Sequence, residues 1–124
     1  MTVNRVQAQR LAEEVAEHFG LEPRRWFGGW TLLRDGRQIA MVMDTVYVRV
    51  DDRLRAELDA TVDSKPFRYR RGDGREIEVD AYRSVPRNIL GNPAALGALL
   101  DRAPAAATNA VRRGRVSTTA RQGR

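Results

Sequence analysis

Two adjacent glycines, Gly28 and Gly29, stand between aromatic residues and follow the basic pair Arg24-Arg25. The backbone N–H groups of a glycine loop can bind an anion, and neighbouring arginines would strengthen that attraction. Phosphate-binding loops, however, place their glycines directly before a helix, whereas a pattern typical of a strand follows Gly29. A bend or bulge between two strands with bulky side chains also favours glycine. We therefore favour the bend, and a small-molecule or anion site at these glycines is the weaker alternative.

Side chains that commonly perform catalysis are scarce in this chain. It has no cysteine, which excludes thiolate metal sites, disulfides and cysteine nucleophiles. Its one histidine, His18, is expected at the end of the first helix, where the helix dipole favours a cation. Most aspartates occur at predicted turns or helix starts, where aspartate is favoured for capping backbone amides. We expect no catalytic residue, no metal site, no cofactor and no enzymatic activity.

Basic charge is distributed unevenly along the chain. The formal net charge is +6, yet residues 1–103 contain 17 basic and 16 acidic side chains, whereas residues 104–124 contain five arginines and no acid. An arginine-rich segment can bind nucleic acid without sequence preference by releasing counterions. The candidate nucleic-acid contacts are Arg112, Arg113, Arg115, Arg121 and Arg124, with Arg68, Arg70 and Arg71 as a second patch.

The second patch also fits an ordinary strand. Aromatic residues alternate with arginines from Phe67 to Arg70, as on a strand with one buried and one exposed face. Glu76 and Glu78 follow on the next predicted strand and would pair with these arginines across the hairpin. Cross-strand pairing of this kind would weaken any attraction for phosphate, and it is the preferred interpretation.

Hydrophobic periodicity divides the chain into helices and strands. Apolar residues recur at helical spacing from Ala8 to Phe19, and the period then changes to two. Asp35-Gly36 is a signal for a tight hairpin turn. The predicted elements begin with a helix over 4–19 and strands over 25–27, 30–34, 38–43 and 46–50. A second helix follows, capped by Asp51 or Asp52 and closed at Ser64-Lys65-Pro66, with Leu54, Leu58 and Val62 along its buried stripe. The remaining elements are a hairpin over 67–70 and 75–79, a helical turn over 84–90, and a helix from Asn92-Pro93 to about Ala103.

This order predicts an α+β domain with a mainly antiparallel sheet of about six strands, a four-strand meander plus a hairpin, and with N-terminal, middle and C-terminal helices. The helices must cover at least one sheet face, because large apolar residues such as Trp26, Trp30, Tyr69 and Ile77 need burial. We predict one domain over residues 1–103. Residues 104–124 have no apolar side chain larger than valine and are predicted to be a disordered arginine-rich tail. No apolar run suits a signal peptide or a membrane span, so a cytoplasmic location is expected.

Several short motifs follow one another in an order that is similar to a known family. They are Arg24-Arg25-Trp26-Phe27-Gly28-Gly29-Trp30, the hairpin Asp35-Gly36, Lys65-Pro66-Phe67-Arg68-Tyr69, Tyr82-Arg83-Ser84-Val85-Pro86 and Asn92-Pro93. Together they extend over about residues 7–103. On these motifs the chain resembles the TfoX/Sxy N-terminal domain family, and we expect a stand-alone domain of that type.

The resemblance implies a small α+β domain of the kind found in bacterial competence and transcription regulators, which work with the cyclic-AMP receptor protein at promoters. It supplies no catalytic residue to carry over. The first hypothesis is therefore a non-enzymatic regulatory or protein-interaction module, whose partner by resemblance belongs to the transcription machinery. The candidate interaction surface is Arg24, Arg25, Trp26, Gly28, Gly29 and Trp30. The alternative is a nucleic-acid accessory protein that binds weakly through the basic tail.

Overall fold

A computed structural model gives the structure of residues 5–26 and 28–104. Its elements, in chain order, are α1 (Arg5–Phe19), β1 (Glu22–Trp26), β2 (Gly29–Arg34), β3 (Arg37–Val42), β4 (Val46–Arg49), α2 (Asp52–Asp59), β5 (Pro66–Arg70), β6 (Glu76–Ser84), α3 (Arg87–Leu90) and α4 (Pro93–Arg102). This confirms the predicted α+β class. Within the described ranges, no helix is both long enough and apolar enough to cross a membrane.

The six strands form one antiparallel sheet in the order β1-β2-β3-β4-β6-β5. The first four strands make the predicted meander. Asp35 and Gly36 both have positive φ, 54° and 78°, as the predicted tight turn between β2 and β3 requires. Because β6 rather than β5 pairs with β4, the two edges of the sheet are β1 and β5.

One face of the sheet is covered by helices. Successive residues of a strand point to opposite faces, and Ala40, Val42, Val46 and Val48 belong to the core on the helix side. The helix residues buried in the same core are Ala8, Ala12, Val15 and Ala16 of α1, Leu54 and Leu58 of α2, and Leu96, Leu99 and Leu100 of α4. Side-chain caps begin two of these helices, since Asp51 accepts a hydrogen bond from Leu54 N and Asn92 accepts one from Ala95 N.

Two arginines hold α2 against the rest of the fold. Arg83 of β6 is buried and donates from Nε to Asp59 Oδ1 at 2.6 Å and from Nη1 to two main-chain carbonyls of its own strand. Arg102 of α4 donates to Glu57 Oε2 at 2.7 Å. The hydrogen bond from each arginine lowers the pKa of the carboxyl that it meets.

Four element boundaries differ from the predictions by three residues or more. One is the start of α3, predicted at Ser84 and found at Arg87, because Ser84 still pairs within the sheet as the last residue of β6. Helix α2 ends at Asp59, and the Thr61 hydroxyl donates to Leu58 O at 2.6 Å just beyond it. Val62 therefore lies outside the helix and is 99% exposed, so its predicted burial was wrong. Strand β6 continues to Ser84, because it lies between β4 and β5 and pairs with both. Strand β1 begins at Glu22, three residues before the predicted start, in register with β2.

The predicted burial of some large side chains also needs correction. Tyr69 is 47% exposed because it lies on the edge strand β5. Trp26, Trp30 and Ile77 are half-buried. These residues lie on strands at or next to the edges of the sheet, where fewer neighbours cover a side chain. The predicted tail from residue 105 onward lies outside the described residues.

Candidate functional site

The glycine pair lies at the connection between β1 and β2. Gly28 has φ +81°, a backbone conformation that residues other than glycine rarely adopt. Gly29 begins β2 and pairs with Trp26 of β1. A Cβ atom on Gly29 would lie only 2.5 Å from the carbonyl oxygen of Val42 in the neighbouring chain segment. The close approach of the backbones therefore requires glycine at this position. This geometry fits a bend between strands, and anion binding at the pair stays an untested alternative.

Arg24 and Arg25 lie on the edge strand β1 and have different surroundings. Arg24 Nη2 is 2.8 Å from Glu22 Oε2 in an exposed ion pair. The guanidinium carbon of Arg25 lies 5.4 Å from the centroid of the Trp30 ring, a cation–π contact worth about 0.5–1 kcal/mol at an exposed site. None of the ion pairs within residues 5–26 and 28–104 involves Arg25.

The two tryptophans of this region lie on opposite faces of the sheet. Trp30 packs against the core on the helix side, whereas Trp26 packs against a second apolar cluster on the other face. The structure thus brings Arg25 and Trp30 together and places Trp26 on the far side of the same edge. We call Arg24, Arg25, Trp26 and Trp30 the β1 edge.

The second apolar cluster consists of strand residues and of Met43 in the turn between β3 and β4. Its buried members are Met41, Tyr47, Phe67 and Tyr82, and the half-buried residues packed against them are Trp26, Met43, Val79 and Ala81. No residue of a described helix belongs to it. The sheet therefore has a helix side and a second side, which we call the open face.

A groove of about 430 Å³ lies on the open face. The residues that line it are Trp26, Met41, Met43, Phe67, Tyr69, Arg70, Val79 and Tyr82. Trp26 comes from one edge strand of the sheet and Phe67 from the other. The groove therefore extends across the sheet between its two edge strands.

Two tyrosine hydroxyls of the open face differ in their hydrogen bonding. Tyr47 donates to Asp44 Oδ1 at 2.7 Å, and burial together with this carboxylate raises the pKa of Tyr47 above its usual value. The hydroxyl of Tyr82 is buried, and none of the described residues offers an acceptor to its O–H in hydrogen-bond geometry. Burial raises the pKa of Tyr82 to about 12, although the nearby Arg49 opposes this increase. The Arg49 guanidinium carbon lies 5.8 Å from the Tyr82 ring centroid.

The arginines of β5 and its turn are only partly neutralised. Arg68 donates to Glu78 Oε1 at 3.1 and 2.9 Å, which confirms the predicted cross-strand pairing at this position. Arg71 Nη2 lies 3.9 Å from Asp73 Oδ2 in a second ion pair. Arg70 lines the groove and donates to the main-chain oxygen of Gly74 at 3.0 Å, and no ion pair of the described residues involves it or Arg49.

The nucleic-acid contacts predicted on the tail cannot be placed on this surface. Arg112, Arg113, Arg115, Arg121 and Arg124 lie outside the described residues. Of the second patch, Arg68 is engaged by a carboxylate. Binding of nucleic acid through these arginines therefore stays a prediction.

The groove provides contacts suited to binding. The described residues that line it are aromatic residues, two methionines, a valine and one arginine, and none of them is a carboxylate, histidine or serine. Among the described residues, no cluster of acidic or histidine side chains has the geometry to hold a metal ion. No motif in the sequence predicts this groove. The sequence pattern that could have indicated it is strand β3, which is apolar at consecutive positions from Ile39 to Val42 and so supplies apolar side chains to both faces of the sheet.

Comparison with known proteins identifies the family. A model of the TfoX N-terminal domain matches residues 13–107 of the 124-residue chain. No curated protein and no solved structure matches the chain significantly. The match covers most of the chain and includes every strand and all but the first turns of α1. The chain therefore belongs to the TfoX N-terminal domain family.

Proposed function

We propose that this chain is a non-enzymatic regulatory module that binds another protein through the β1 edge. Membership of the TfoX N-terminal domain family supports a regulatory or interaction role. The observation that carries the proposal is the exposure of Arg25 on β1, which pairs with no strand other than β2 among the described residues, beside the half-buried Trp26 and Trp30. On the resemblance to competence and transcription regulators, we propose a partner from the transcription machinery.

The composition of β1 favours contact through side chains rather than addition of a partner strand. An open edge strand can extend its sheet with a strand of another protein. Pro23 lacks a backbone N–H group, and proline and charged residues on an edge oppose such pairing. Tryptophan and arginine, in contrast, are the side chains that most often dominate protein interfaces. Because Arg25 has no described ion pair, a partner surface with an accessible carboxylate would complement it.

A charge reversal at Arg25 tests this surface in the cell. A strain lacking the chain is complemented with the unmodified protein, with Arg25→Glu, or with Arg75→Glu as a matched control. Arg75 lies in the β5–β6 turn, at the opposite edge of the sheet, and is also exposed. The transcript profile of each strain is measured together with the amount of folded protein.

We expect deletion to alter the transcript profile and Arg75→Glu to restore it. Arg25→Glu should fail to restore it although the protein accumulates normally, because the reversed charge repels the acidic partner surface. Full restoration by Arg25→Glu would contradict the proposed surface. An unchanged transcript profile after deletion would contradict the regulatory role itself.

A further inference from the structure

We infer that the groove on the open face binds a small amphipathic anion, namely an apolar molecule with one carboxylate. This inference goes beyond the proposed function, which uses the β1 edge, and its test needs no partner protein. The groove has three properties that define such a ligand: its apolar lining, its unneutralised cations, and a buried hydroxyl without an acceptor.

The apolar lining of the groove favours a ligand whose larger part is apolar. Ligand pockets commonly have volumes of about 300–1,000 Å³ and are lined mainly by apolar and aromatic side chains, and the groove has about 430 Å³. Phe67 forms an edge contact with Tyr47, with ring centroids 5.1 Å apart, and stacks on Tyr69 at 6.0 Å. These contacts hold one wall in place. Met41 and Met43 supply flexible thioethers that can adapt to the shape of an alkyl chain or ring.

The positive charges around the groove favour an anionic group on the ligand. Arg70 is on the lining, and Arg49 lies over the ring of Tyr82, which also lines the groove. No described carboxylate forms an ion pair with either arginine. Asp44, which lies close to this face, accepts the hydrogen bond of Tyr47 and is not among the described lining residues. A carboxylate matches the planar donors of arginine, whereas a cation would be repelled.

The hydroxyl of Tyr82 is a separate indication on the same wall. Buried polar groups in proteins are almost always hydrogen-bonded, so an unpaired one calls for an explanation. Tyr82 is 4% exposed, and its O–H finds no acceptor within the described part of the chain. An oxygen atom of an anion bound in the groove would supply the missing acceptor.

A small molecule fits this groove better than an added protein strand does. The edge strand beside it, β5, begins with Pro66 and exposes Arg68 and Arg70. Proline and charged side chains on an edge oppose strand addition. Trp26 belongs both to the groove lining and to the β1 edge, so a ligand that packs against Trp26 would touch the surface that we propose for the protein partner.

Octanoate is the probe, and 1-octanol is its neutral counterpart with the same chain length. Purified full-length chain with isotope-labelled methionine methyl groups is titrated with each compound at pH 7 and followed by NMR. Met41 and Met43 line the groove, and the third methionine is Met1, so the methyl signals report directly on the site. The variants are Arg70→Gln and, as a matched control on the same strand, Arg68→Gln, whose arginine is paired with Glu78 and does not line the groove.

We expect saturable shifts of the Met41 and Met43 methyl signals with octanoate, and about tenfold weaker binding of octanol, because charge-assisted hydrogen bonds are the stronger ones. Arg70→Gln should remove most of this preference, and Arg68→Gln should keep it. The inference is overturned if octanoate fails to saturate these signals, if octanol binds equally well, or if Arg70→Gln leaves the preference intact. None of these results bears on the β1 edge, since the Arg25 experiment is independent of any added ligand.

Discussion

Replacing Tyr82 with phenylalanine should stabilise the protein, whereas the same substitution at Tyr47 should destabilise it. Both side chains are buried on the open face, with 4% and 7% exposure, and each substitution removes a single oxygen atom. They differ in one respect. The Tyr47 hydroxyl donates to Asp44 at 2.7 Å, whereas the Tyr82 hydroxyl finds no acceptor among the described residues.

The expected magnitudes follow from the cost of buried polar groups. A buried donor without an acceptor costs about 1–3 kcal/mol, and its removal from Tyr82 should recover about 1 kcal/mol. A hydrogen bond to a charged group contributes about 1.5–3 kcal/mol. The lower end applies to Tyr47, because Asp44 is exposed. The free energies of unfolding of the two variants should therefore differ by about 2.5 kcal/mol.

Urea denaturation of the unmodified chain and the two variants measures these differences directly. The slope of unfolding free energy against urea should stay the same, since neither change alters the exposed area much. A loss of stability in Tyr82→Phe as large as that in Tyr47→Phe would refute the reasoning, because it would mean that the Tyr82 hydroxyl has a partner.

Alkaline pH gives a second measurement on the same residue. Burial raises the pKa of Tyr82 to about 12 in the folded protein, whereas tyrosine in an unfolded chain titrates near pH 10. Ionisation of Tyr82 therefore favours the unfolded chain, so that its effect on stability is absent below about pH 10 and lowers the free energy of unfolding as the pH rises towards 12. Over this interval the stability of Tyr82→Phe should fall less steeply than that of the unmodified chain.

Two further predictions concern the frame of the sheet. Gly29→Ala should destabilise the protein by about 1–3 kcal/mol, as overpacking does, because the new Cβ would lie 2.5 Å from Val42 O. The control is Gly72→Ala, whose Cβ would have no atom within 4 Å. In urea denaturation its free energy of unfolding should stay within about 0.5 kcal/mol of that of the unmodified chain. Equal stability of the two variants would show that β2 can move away from β3 at no cost. Asp59→Asn should lower the urea midpoint more than Asp52→Asn does. Asp59→Asn leaves the buried guanidinium of Arg83 without its carboxylate. Asp52, in contrast, pairs with Arg55 through a side chain that is 95% exposed. Since the hydrogen bond from Arg83 lowers the pKa of Asp59, this stabilisation should be present above about pH 4 and decline below it, and an acid profile that is the same for Asp59→Asn and the unmodified chain would contradict it.

Local signals in the sequence predicted the elements and most of their order. The helical spacing from Ala8 to Phe19, the Asp35-Gly36 turn and the Asn92-Pro93 cap are decided by neighbouring residues, and all three appear in the structure. The boundary of α2 was misjudged because Val62 continues the apolar spacing of Leu54 and Leu58. Apolar spacing alone cannot show that the helix ends at Asp59, beyond which the Thr61 hydroxyl binds Leu58 O.

The β1 edge was found in the sequence because its unusual residues are contiguous. Arg24, Arg25, Trp26 and Trp30 lie within one hairpin, so the chain itself keeps them close together. Which tryptophan faces which side of the sheet depends on the register of β1 with β2, and a single residue of shift would exchange the faces.

The groove, in contrast, exists only in the folded chain. Its walls come from residues as distant in sequence as Trp26, Met41 and Tyr82, which strand pairing places on one face of the sheet. The neutralisation of Arg68 and the absence of an ion pair at Arg70 likewise depend on how side chains lie across a hairpin. Residue types and local spacing decided the α+β class, the turns and the caps of this protein. The tertiary structure decided which side chains share the open face, because strand pairing brings together residues that the sequence keeps far apart.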